Sequence, residues 1–70
     1  MQHLIDQISN REKEVLTLIS SECTTKEIAN ALFHSCHTVV SHRKNLMIKL
    51  SVKNTAGLVR RGFEMGVLKV

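Results

Sequence analysis

Apolar residues recur along this chain at three- and four-residue steps, the spacing of one face of an α-helix. Val15, Leu16 and Ile19 make a first stripe, with Leu18 beside it. Ile28, Ala29 and Leu32 make a second. Val39, Leu46 and Leu50 make a third, widened by Met47 and Ile48, and Leu58, Val59 and Phe63 a fourth. Strict alternation is absent, and the pair Val39-Val40 falls inside a helical stripe, so no strand competes.

Polar residues set the ends of these stripes. Ser9-Asn10-Arg11-Glu12 and Thr24-Thr25-Lys26-Glu27 both have capping-box spacing, in which a hydroxyl accepts from the third amide and the Glu reaches back to the cap amide. Ser20-Ser21-Glu22-Cys23 interrupts the first stripe. Ser35 suits the cap of a third helix and Asn54 that of a fourth. Gly66 sits where a left-handed residue ends a helix. The pattern predicts four helices of roughly 11, 8, 15 and 11 residues, an all-α fold.

The second and third segments carry the functional signal. A short capped helix, a tight turn and a longer basic helix form a helix-turn-helix, here about residues 24–43, whose second helix enters the major groove of DNA. With Val39, Leu46 and Leu50 facing inward and His42 or Arg43 between them, His37, Val40, Ser41, Lys44 and Ile48 face outward. Ser41 and Lys44 suit base edges. Thr25, Lys26, Thr38 and Lys49 suit phosphates, with Lys53 also near the backbone. A plain helical hairpin has the same apolar spacing and stays open at this point.

Charge favours the DNA reading. Residues 1–35 hold three cations (Arg11, Lys13, Lys26) against five carboxylates (Asp6, Glu12, Glu14, Glu22, Glu27), a balance of −2. Residues 36–70 hold seven cations against Glu64 alone, a balance of +6. A basic half of this kind displaces counterions from a polyanion. The same basic face, with the last helix, also suits a protein-interaction module that binds an acidic partner.

Composition narrows the remaining classes. Seventy residues make one domain with a marginal core, so a stabilising partner is expected. The longest apolar runs are about three residues, far short of the ~20 a membrane helix needs. Residues 1–7 read as a tail without the pattern of a signal peptide. Two Cys are no disulfide framework, which points to a reducing cytoplasm. His34, Cys36 and His37 are close, but no second pair stands at zinc-finger spacing, so neither metal nor cofactor is expected. Catalytic motifs are absent and no enzyme activity is expected. Phe33 and Phe63, the only aromatics, are expected in the core rather than as stacking platforms for single strands.

Several short motifs, in order, resemble one family. Ile8-Ser9-Asn10-Arg11-Glu12-Lys13-Glu14-Val15-Leu16 looks like the opening of a LuxR-type (GerE-like) DNA-binding domain. Lys26-Glu27-Ile28-Ala29, Leu32, Ser35, Thr38-Val39, His42-Arg43, Lys49-Leu50 and Val52-Lys53-Asn54 continue the pattern through about residue 68. The resemblance implies a four-helix domain that binds bacterial promoters, as at the C-terminus of NarL/FixJ-type response regulators. It implies phosphate contacts at Thr25, Lys26, Ser35 and Thr38, and base-facing positions at His37, Val40, Ser41 and Lys44. It further implies a homodimer on double-stranded DNA through a helix near residues 54–65, and RNA polymerase as a partner. Leu58, Val59, Gly62 and Phe63 would form the dimer surface, with Gly62 allowing close approach. Val40 stands where the family commonly has Lys or Arg, Glu22 where Gly is usual, and His34 where an aliphatic residue is usual. A turn of different shape is expected at Glu22, and a polar ring at the edge of the core at His34.

Overall fold

A computed structural model describes residues 7–69. The tail assigned to residues 1–7 therefore lies outside the described residues, except for Gln7. Four helices follow in order: α1 (Asn10–Ser20), α2 (Thr25–Leu32), α3 (Cys36–Leu50) and α4 (Thr55–Glu64). No strand occurs among the described residues.

The helices begin where their caps stand. Ser9 Oγ accepts from the Glu12 amide at 3.1 Å while Glu12 Oε1 accepts from the Ser9 amide at 3.0 Å. The same reciprocal pair joins Thr24 and Glu27 at 3.2 and 2.8 Å. Ser35 Oγ caps the Thr38 amide at 3.1 Å, and Asn54 Oδ1 caps the Gly57 amide at 2.9 Å. Each such cap contributes about 1 kcal/mol by satisfying an amide that has no partner within the helix.

The helices end on left-handed residues. Phe33 follows α2 at φ 57° and Ser51 follows α3 at φ 56°. Each lets an amide two positions past its helix reach back, His34 to the Ala29 carbonyl at 2.9 Å and Val52 to the Met47 carbonyl at 3.0 Å. Gly66, at φ 77°, turns the chain after α4 without strain. Glu22, after α1, is also left-handed at φ 64°. Glu22 therefore adopts the left-handed conformation that a glycine would take there, and in place of the expected change of turn shape the cost is backbone strain, about 1–2 kcal/mol for a residue with a Cβ.

The core lies where the four stripes meet. Val15, Leu16, Ile28, Val39, Leu46, Leu50 and Leu58 are fully buried. Burying each of the larger ones contributes roughly 1.5–3 kcal/mol. Both α3 and α1 pack against all three other helices, the long α3 the more extensively. This makes α3 the central strut, one side in the core and the other in water.

Phe33 and Phe63 depart from their expected place in the core, while Ile48 takes the outward of its two expected places. Phe33 is 96% exposed, because the left-handed turn it occupies carries its ring away from the core. Phe63 is 43% exposed and Ile48 is 70% exposed, so neither joins the core cluster. Ile48 lies two residues past Leu46 and two before Leu50, close to the side of α3 opposite these buried neighbours.

Candidate nucleic-acid interface

The outward side of α3 is built by its inward side. Val39, Leu46 and Leu50 lock one face of the helix into the core, which turns His37, Val40, Ser41 and Lys44 outward. All four are exposed. The helix carries no Asp or Glu, and Lys44 has no carboxylate partner among the described residues. The result is a ridge of hydrogen-bonding side chains with one cation, Lys44, and one apolar residue, Val40.

The flanking polar residues fall at helix starts. Thr25 and Lys26 open α2, Lys26 exposed and Thr25 half-buried. Ser35 and Thr38 share a hydroxyl hydrogen bond of 2.9 Å at the start of α3, in addition to the Ser35 cap. Lys26 also lacks a carboxylate partner among the described residues. The adjacent Glu27 titrates below its ordinary range, because the Thr24 amide and hydroxyl bond its carboxylate.

Lys49 stands apart from this group. Its Nζ lies 2.8 Å from Glu12 Oε1 and donates to the Gln7 carbonyl at 3.0 Å. The expectation that it holds a phosphate gives way to a structural role, since its charge is already neutralised within the fold. Local sequence patterns carried no signal of this pairing, because the partners are 37 residues apart.

His34 lies half-buried at the edge of the core, as its polarity suggests. Its ring meets that of His42 edge-on, with centroids 5.7 Å apart and planes at 72°. Arg43 is half-buried, and its Nε is buried without a hydrogen bond.

The surface expected for dimerisation is only partly a surface. Leu58 is fully buried and Gly62 is buried. The close approach at Gly62 is made by Leu68 of the same chain: a Cβ at position 62 would sit 2.6 Å from Leu68 Cδ1 and 3.1 Å from Leu16 Cδ2. Leu68 is brought there by the turn at Gly66 and by amide bonds from Val67 and Leu68 to the Gly62 carbonyl, both 3.0 Å. Of the four residues, Val59 and Phe63 remain at least partly exposed.

A short capped helix, a three-residue connection and a basic helix with one buried face define a helix-turn-helix DNA-binding domain. The profile described as "Bacterial regulatory proteins, luxR family" matches residues 6–61. The chain belongs to this family of bacterial regulatory proteins. It is 45% identical over 65 residues to the uncharacterized response regulatory protein YgeK of Escherichia coli (strain K12), covering 93% of this chain and 44% of that protein. It is 43% identical over 63 residues to the spore germination protein GerE of Bacillus subtilis (strain 168), covering 90% and 85%. The transcriptional regulatory protein MctR of Rhizobium johnstonii is 40% identical over 63 residues, covering 90% and 29%. The chain thus spans less than half of YgeK and MctR but most of GerE.

Proposed function

We propose that this domain binds specific sites in double-stranded DNA, with α3 in the major groove. His37, Val40, Ser41 and Lys44 face the bases, and Thr25, Lys26, Ser35 and Thr38 hold phosphates. The observation that carries this reading is the joint exposure of the four base-facing residues on a helix without a carboxylate, its opposite face locked into the core. Buried on one side, and polar with the cation Lys44 and no carboxylate on the other, such a helix fits a groove lined with acceptors between two rows of phosphates.

Two copies binding adjacent half-sites would pair through the outer side of α4, where Val59 and Phe63 leave apolar surface. Added burial there offsets the small core. On this reading the domain works in the bacterial cytoplasm, reaches RNA polymerase from its promoter site and catalyses nothing. The test is selection of bound sites from a random duplex library, followed by a salt titration on the selected site. A recurring site with two related halves is expected, bound with an affinity that falls steeply as salt rises. A flat salt dependence overturns the phosphate contacts, and failure to recover any bound duplex favours an acidic protein partner instead.

A further inference from the structure

We infer that Val40 makes this domain a reader of a thymine methyl group: a T·A pair of the operator lies under Val40, one or two base pairs from a guanine under Lys44. The inference rests on the placement of α3 proposed above and deepens it to a base preference.

Val40 is 51% exposed, immediately after the fully buried Val39. Its exposed neighbours on the helix are Cys36 and His37 one turn before, Ser41 beside it and Lys44 one turn after. Each of these carries a hydrogen-bonding group and Val40 carries none. When a helix fills the groove, water leaves the base edges beneath it. A polar edge under Val40 would lose its water and gain no partner. Base pairs offer one apolar group in the major groove, the C5 methyl of thymine. Val is also stiff at χ1 in a helix, so its methyls are already ordered before docking and little side-chain entropy is lost.

The neighbours set the rest of the pattern. With no Asp or Glu, α3 offers cytosine amino groups no carboxylate. Lys44 suits guanine O6 and N7. Four helical residues advance about 6 Å, and stacked bases about 3.4 Å, which separates the two contacts by one or two base pairs. Ile48 continues the same line, 70% exposed, but lies about 12 Å beyond Val40, toward the end of the helix that leaves the groove.

The experiment uses the 70-residue chain and its selected operator. Each thymine of one half-site is replaced in turn by uracil, which removes the C5 methyl and nothing else. One replacement is expected to weaken binding about three- to fivefold, the effect of one buried methyl-sized group. Val40→Ala is expected to bind the thymine and uracil forms equally. Ala suits an exposed helix position better than Val, so the variant keeps its fold, which circular dichroism checks. Equal affinity for all uracil duplexes, or a penalty that persists in Val40→Ala, overturns the thymine contact while leaving salt-sensitive, site-specific binding to uphold the groove reading. If selection yields no site, both readings fall together.

Discussion

Lys49 Nζ sits 2.8 Å from the carboxylate of Glu12, joining the C-terminal end of α3 to the first turn of α1. The same carboxylate closes the α1 capping box through the Ser9 amide, so one side chain, only 4% exposed, both starts a helix and anchors the recognition helix to it. Lys49→Met is expected to leave that carboxylate without its cation and to destabilise the domain by about 1–2 kcal/mol, the low end for a partly solvated group. Urea denaturation measures the loss. The salt slope of DNA binding should not change, whereas a slope reduced by about one would place Lys49 on a phosphate after all.

The pair also predicts an acid dependence. Burial pushes the Glu12 pKa up, but hydrogen bonds from Lys49 and the Ser9 amide, with the Lys49 charge, outweigh it, and the net result lies below the ordinary 4.5. A carboxyl depressed in the folded state stabilises the fold above its unfolded pKa, and that contribution is lost as pH falls through the folded value. The stability advantage of the parent over Glu12→Gln is therefore expected to be full near neutrality and to shrink below about pH 4.5. Parallel stability curves for the two proteins from pH 7 to pH 3 would contradict this.

Lys44→Ala is expected to weaken binding to the selected operator by roughly 1–3 kcal/mol and to relax the base preference at one position. Lys26→Ala should instead weaken all duplexes alike and lower the salt slope by about one. Gel shifts on cognate and scrambled duplexes distinguish the two effects. Equal affinity of Lys44→Ala and parent on the cognate site removes Lys44 from base reading.

Phe33 combines a left-handed backbone at φ 57° with a side chain 96% exposed. Phe33→Gly removes the Cβ strain and exposes no core, so a gain of about 0.5–1 kcal/mol is expected. For a domain of this size that is a rise of several degrees in Tm, read by thermal melting. A fall in Tm would mean that the ring makes contacts that stabilise the fold.

Gly62 and Phe63 separate folding from pairing on α4. Gly62→Ala forces Leu68 and Leu16 to move, and the expected net loss is about 1 kcal/mol, since overpacking exceeds the gain in helix propensity. Phe63→Ala should leave Tm nearly unchanged but convert a cooperative, single-step gel shift on a paired site into a two-step shift with a singly bound intermediate. Unaltered cooperativity in Phe63→Ala would remove this residue from the dimer surface.

Much of this was legible along the chain because it depends on neighbours. The helix starts at Ser9, Thr24, Ser35 and Asn54 need only a cap and an amide two or three residues on. The inward stripe of α3 and its outward partners Ser41 and Lys44 follow from the helical repeat and from which side is apolar. Hydrogen bonds and periodicity over a few residues are properties of local sequence, and so the sequence by itself determined the four helices and the exposed side of α3. Only the tertiary structure decided that Lys49 serves Glu12, that Leu68 covers Gly62, that Leu58 faces the core and that Phe33 faces water. These depend on how the chain returns on itself, because burial and ion pairing are set by whatever distant segment arrives at a side chain, and no local spacing encodes that arrival.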